Sequence, residues 1–169
     1  VMTIRGSRKL TQIPIEFAVV VTSSNWLSIY SAKASKEIPY AVFTVVHPDG
    51  GPSEYWAPRV NSSSDTNGFL KLKPANLMNS FAGSDFWLAD LGLEFLNWPE
   101  QRLLRTEMKR SRSCRMLEST NPQPAPGAYA RVVSWIDIES NGIVHADAYD
   151  ARGKLLKQFD PKDFKKVNG

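Results

Sequence analysis

The run Ile13-Pro14-Ile15-Glu16-Phe17-Ala18-Val19-Val20-Val21 decides how the rest of the chain is read. Ile13, Ile15, Phe17, Val19 and Val21 alternate with Pro14, Glu16 and Ala18, a period of two that marks a half-buried β-strand, because successive strand side chains point to opposite faces. Pro14 has no N–H to give to a ladder, so its nitrogen is expected at an edge or in solvent. Thr22-Ser23-Ser24 ends the apolar run well short of the ~20 residues that cross a bilayer, so the chain is not read as an integral membrane protein.

Outward from this strand the same period continues. Trp26 to Ala32 and Tyr40 to His47 read as strands, the second closing at Pro48-Asp49-Gly50-Gly51, where proline presets φ and glycine allows φ > 0. Ser53 to Val60 would return as a hairpin partner carrying Tyr55 and Trp56. Asn61 to Gly68 is polar, turn-rich and aperiodic, and reads as a mobile loop within one domain. Between Ser84 and Trp98 the pattern changes: Ser84-Asp85 can cap a helix start, and Phe86, Trp87, Leu88, Leu91, Leu93, Phe95 and Leu96 follow, with Gly92 as a weak point. From Arg102 strands resume over Arg102 to Glu118, Tyr129 to Glu139, Ile143 to Tyr149 and Lys154 to Asp160. Asn141-Gly142 fits a two-residue type I′ turn, and Asp150-Ala151-Arg152-Gly153 a longer one. Asn121 to Gly127, with three prolines, is an extended connector. The sum is about seven or eight strands with one helix between the fourth and fifth, arranged as one curved antiparallel sheet around an apolar interior.

Composition narrows the function. The 169 residues carry Lys+Arg 21 against Asp+Glu 17, a formal charge of +4, with 42% hydrophobic residues, which fits one globular domain over residues 1–169 and lacks the basic excess of a nucleic-acid binder. The single cysteine, Cys114, excludes an internal disulfide and a cysteine-rich zinc site. His47 and His145 are the only histidines, and each reads as a structural residue on its strand. Asp90 and Glu94 are i,i+4 neighbours without a partner motif, and no phosphate loop, His-Glu-x-x-His or Gly-x-Ser-x-Gly occurs. No catalytic residue, metal or cofactor is therefore expected, and no nucleic-acid partner. Two features remain. Arg110, Arg112 and Arg115, with further lysines near the C-terminus, could form a basic patch for an anionic partner. The aromatic side chains are either core or the lining of a cavity, and as lining the candidates are Phe17, Val19, Val21, Trp26, Phe43, Trp56, Phe86, Trp87, Leu91, Phe95 and Trp135.

Gly83-Ser84-Asp85-Phe86, Asp90-Leu91 and Ser113-Cys114-Arg115-Met116-Leu117-Glu118-Ser119 carry a resemblance to a bacterial family, the outer membrane lipoprotein-sorting proteins related to the LolA lipoprotein carriers. Tyr129 to Asp137 and Ala148 to Lys157 look like that family's closing hairpins, and Ile15-Glu16-Phe17 agrees in the first half. The resemblance implies a mainly β (α+β) fold, an unclosed half β-barrel with a helix on its concave face. It also implies a periplasmic, non-enzymatic carrier that holds lipid or lipoprotein acyl chains in an apolar interior, with other envelope proteins as partners. The helix from Asp85 to Trp98 would lie against the sheet, whereas the family's usual helix before the first strand is not expected in this chain. The alternative is an envelope interaction module that binds an anionic partner through the basic strand face, with a filled core.

Overall fold

Pro14 splits the opening run. In the computed structural model, which describes residues 2–5, 10–33, 41–49, 52–58 and 68–161, Ile13 ends one strand and Ile15 begins the next. The chain divides into two compact units, Val1–Asn97 and Trp98–Gly169.

The first unit holds a small ribbon of β1 (Met2–Arg5) and β2 (Leu10–Ile13) and an antiparallel sheet in the order β3-β4-β5-β6-β7. Its strands are β3 (Ile15–Val21), β4 (Asn25–Ala32), β5 (Ala41–Pro48), β6 (Glu54–Pro58) and β7 (Phe69–Lys71). The Ser23-Ser24 turn sets the register: Thr22 N–H donates to the Asn25 carbonyl at 2.8 Å, and Phe17 then faces Tyr30, and Tyr30 faces Phe43. One face of this sheet thus collects Ile15, Tyr30, Ala32, Ala41, Phe43, Val45 and Tyr55, and it packs on Leu77, Phe81 and Ala89. Those last three belong to short helical turns and loops over 74–97.

The helix expected from Asp85 to Trp98 is not continuous. It is one α-turn, α1 (Leu88–Leu91), and a 3-10 turn (Glu94–Asn97), parted at Gly92 and at Leu93, whose φ is +47°. The cause is tertiary. A Cβ at residue 92 would stand 2.4 Å from Cε1 of the buried Tyr55 ring, so glycine is needed where the chain crosses that ring. Asp90 rather than Ser84 serves the start of α1, accepting from Trp87 N–H at 2.7 Å, while Ser84 Oγ closes a tighter turn onto the Phe81 carbonyl.

The second unit is a separate antiparallel sheet in the order β12-β11-β10-β9-β8. The single expected sheet is thus two five-stranded sheets, neither closed on itself, and the described strands number twelve with the ribbon. The stretch read as one strand from Arg102 to Glu118 is a hairpin of β8 (Glu100–Lys109) and β9 (Arg112–Thr120). Arg110 and Ser111 both have positive φ, the geometry of a type I′ turn, built without its usual Asn-Gly. β10 (Arg131–Asp137), β11 (Ile143–Tyr149) and β12 (Leu155–Phe159) follow as the expected consecutive antiparallel strands. Their first turn is longer than Asn141-Gly142: it runs through Ile138 to Asn141, with Asn141 at φ +54° and Asp137 N–H bonded to the Gly142 carbonyl. The second matches, with Gly153 at φ +78° and Asp150 Oδ1 accepting from the N–H groups of Arg152 and Lys154.

Cys114, Met116, Val133, Trp135 and Val144 form the core of this second sheet. Among the described residues no helix is long and apolar enough to cross a membrane. The polar stretch 61–67 and Lys162, Lys165 and Lys166 lie outside the described residues.

Candidate functional site

The apolar face of the first sheet is covered over only part of its extent. At one end Phe43 and Val45 are fully buried; at the other Phe17 is 57% exposed, Val19 50%, Val21 78% and Trp26 42%. Strand pairing places these four side by side, since Val21 faces Trp26 and Phe17 faces Tyr30 across the β3–β4 ladder. The result is a strip of apolar side chains in water that continues at Phe43 and Leu91 into packed core.

Chemistry keeps the strip uncharged. Trp26 stacks on His47 with ring centroids 3.6 Å apart and planes 12° from parallel. His47 lies between Ser53 Oγ at 3.0 Å and Ser28 Oγ at 3.3 Å, and burial holds its imidazole below the ordinary histidine range, in the neutral form at neutral pH. Tyr30 packs against Phe17 at 4.9 Å and donates its hydroxyl to the Leu91 carbonyl at 2.7 Å, which ties the sheet to α1. Burial pushes the Tyr30 phenol up, so it too stays neutral. Ser28 and Tyr30 were not singled out by the sequence, and His47 was read there only as a structural residue on its strand. The signal was there, in the alternation of β4 and the register that the Ser23-Ser24 turn imposes.

The other candidates are distributed. Trp56 follows Tyr55 and so lies on the opposite face of the sheet, level with Thr44 and Lys71. Phe86 and Trp87 are half-buried at the entry to α1, where Phe81 N–H bonds the Phe86 carbonyl and Ser80 bridges Trp87. Phe95 is buried in the 3-10 turn after α1. Trp135 belongs to the second unit, where its Nε1 donates to Glu107 at 2.6 Å and the Lys109 ammonium sits 4.3 Å from its ring.

The arginines do not share one surface. Arg110 occupies the β8–β9 turn, and the alternation of β9 puts Arg112 and Arg115 on opposite faces. Arg112 is held at 2.7 Å by the buried Asp137, which also accepts from Ser140 Oγ at 2.6 Å. A cleft of about 410 Å3 at this end is lined by Arg110, Ser111, Arg112, Ser113, Asp137 and Glu139, so its charges are mixed. Cys114 is fully buried, and burial pushes its thiol up, away from the reactive thiolate. His145 is fixed between Asp160 at 2.8 Å and Asp147 at 2.9 Å, edge-on to Trp135.

Solved structures share this architecture. The chain is similar to a domain described as an outer membrane lipoprotein-sorting protein from Vibrio parahaemolyticus, with a TM-score of 0.74 at 16% identity, covering 98% of this chain and 69% of that one. A DUF1329 family protein from Desulfovibrio piger matches with a TM-score of 0.67 at 17% identity, over 93% of this chain and 66% of that one. A LolA superfamily protein from Nitrosomonas europaea matches with a TM-score of 0.53 at 18% identity, over 93% and 70%. The fold is therefore LolA-like, and the chain spans about two thirds of the length of these structures. No curated protein matches. The model of a family described as "uncharacterized protein" matches residues 64–169.

Proposed function

We propose that this chain, which belongs to the uncharacterized-protein family matched over residues 64–169, is a non-enzymatic carrier that shields the acyl chains of a lipoprotein in the bacterial periplasm. The observation that carries the reading is the uncovered strip of Phe17, Val19, Val21 and Trp26 on a fold shared with lipoprotein-sorting proteins. Exposed contiguous apolar surface on a sheet is the kind of feature that a ligand or partner covers. An acyl chain laid along it gains about 0.8 kcal/mol per methylene removed from water, so affinity would rest on apolar burial and tolerate salt. The neutral Trp26–His47 pair and the neutral Tyr30 keep charge away from that contact. Phe43 and Leu91 would form its packed floor, and α1 with its flanking turns would be its helical cover.

The test is binding of a fluorescent diacyl lipopeptide to the chain and to Val21→Glu and Trp26→Glu. Both sites face water, so thermal midpoints are expected to hold while affinity falls at least about tenfold, the cost of setting a charge against hydrocarbon. Unchanged affinity in a folded Val21→Glu protein would sink the reading.

A further inference from the structure

Sheets in monomeric proteins protect their outer strands by shortness, charge or proline. The outer strands of the two five-stranded sheets are β3, β7, β8 and β12. β7 has 3 residues and ends on Lys71; β8 carries Glu100, Arg102, Arg105, Glu107 and Lys109; β12 carries Lys157. β3 differs from all of them. It has 7 residues, Ile15-Glu16-Phe17-Ala18-Val19-Val20-Val21, with no lysine, arginine or proline, and its one charge, Glu16, is held by Lys33 at 2.7 Å. Among the described residues it pairs only with β4, and Phe17, Ala18, Val19, Val20 and Val21 are exposed.

We infer that β3 is the contact through which two copies of this chain pair edge to edge, antiparallel, about a two-fold axis at Ala18. The hydrogen bonds dictate the register. Thr22 N–H points at β4, where it meets the Asn25 carbonyl, so alternation turns the backbone groups of Glu16, Ala18 and Val20 inward as well. The N–H and C=O groups of Ile15, Phe17, Val19 and Val21 therefore point out of the edge. A second β3 can meet all four only if Ile15 lies opposite Val21, Phe17 opposite Val19, and Ala18 opposite itself.

Side chains agree with that register. Phe17 against Val19 is an aromatic–β-branched cross-strand pair, a favourable class, and it occurs twice by symmetry. Each Glu16 falls opposite Val20, leaving the two carboxylates about 13 Å apart along the strands, each beside its own Lys33, so no like charges meet. The two-fold axis stands perpendicular to the joined sheet, and the exposed strips of both copies lie on the same side of it. Two strands of this length bury roughly 1,000 Å2 in total, the lower limit of a specific interface, so the dimer is reversible. The inference goes beyond the carrier reading and stands whether or not lipid binds.

Sedimentation velocity of the full chain, from micromolar to submillimolar concentration, should give a monomer–dimer equilibrium. Val19→Pro removes an outward N–H and no bond to β4, so it should leave the circular dichroism intact and raise the dimer dissociation constant at least about tenfold. Ala18→Cys tests the register. Across a non-hydrogen-bonded pair the two Cα atoms stand about 4.5 Å apart, within disulfide range, and the only natural thiol, Cys114, is buried. Mild oxidation should link Ala18→Cys into a covalent dimer and leave Val20→Cys unlinked. A chain that is monomeric at every concentration and does not cross-link, a dimer indifferent to Val19→Pro, or equal cross-linking at both positions would each overturn the inference.

Discussion

The two five-stranded sheets solve the same problem with different chemistry. In the first, apolar side chains do the packing and then run on past their cover, so that Phe17, Val19, Val21 and Trp26 meet water. In the second, exposed apolar side chains such as Leu103 and Met108 stand on strands laced with charge. Glu118 binds Arg102 at 2.8 Å and Arg131 at 3.1 Å, Glu107 binds Arg105 at 2.8 Å, and Arg112 binds Asp137 at 2.7 Å. Arg131 also lies 4.1 Å over the Tyr149 ring. A sheet whose exposed surface is charged resists unwanted pairing, whereas one that leaves hydrocarbon in water is adapted to having it covered. On the proposed reading, apolar recognition belongs to the first sheet.

The sharpest way to break the comparison is to truncate one aromatic residue at each end of the same face of the first sheet. Phe43, 1% exposed and stacked near Tyr55 at 6.0 Å, should cost about 3–5 kcal/mol on Phe43→Ala, a large fraction of the roughly 5–15 kcal/mol that holds a typical domain folded. Phe17→Ala keeps its exposed position and loses the Tyr30 contact, a cost of about 1 kcal/mol or less. Urea titrations of the two variants check this. Equal losses would mean that the strip is already packed in solution.

A smaller effect is expected at Gly92. Its φ of −82° is open to any residue, and helix propensity alone favours alanine by about 1 kcal/mol. Against that stands the Tyr55 ring, 2.4 Å from the position a Cβ would take and itself wedged beside Phe43. Overpacking of this kind costs about 1–3 kcal/mol, so Gly92→Ala should lower the midpoint of urea unfolding. A stabilised variant would show that Tyr55 can move and that the helix read from the sequence is latent in the chain.

These same positions show what a sequence can and cannot disclose. Strand periodicity and the Asp150–Gly153 turn are local properties, written in alternation and in side-chain chemistry, and were legible. The break at Gly92 was not, because its reason is a ring contributed by β6. The β8–β9 hairpin was hidden for a different reason: Arg110 and Ser111 adopt positive φ without the glycine or asparagine that advertises it. At the candidate site the members of the strip on β3 were readable, since Phe17, Val19 and Val21 share one parity. Which end of that face is covered was not, because the cover comes from turns over 74–97 whose paths are set by packing. Trp56 could have been excluded from that face from the sequence alone, since it follows Tyr55 directly.

The smallest expected effect concerns acid, and it separates the sheets by charge. Asp137 is depressed below the ordinary carboxylate range by the Ser140 hydroxyl and then by Arg112, and Glu107 by Trp135 Nε1 and then by Arg105. A carboxyl with a lowered folded pKa favours the protonated state more in the unfolded chain. Its contribution is therefore complete above the unfolded value, near pH 4, and is lost as pH falls through the folded one. Residue-resolved amide exchange followed from pH 6 to pH 2.5 should show β9 and β10 losing protection in this window, with Asp137→Asn flattening the loss. In the first sheet the Lys71 ammonium likewise lowers Glu54, but at the exposed β6–β7 edge; the buried end held by Phe43, Val45 and Leu77 has no carboxylate in its apolar cluster and should keep its protection further into acid. If β4 and β5 opened at the same pH as β9 and β10, the charged and apolar sheets would be one cooperative unit, and their chemical difference would have no separate effect on stability.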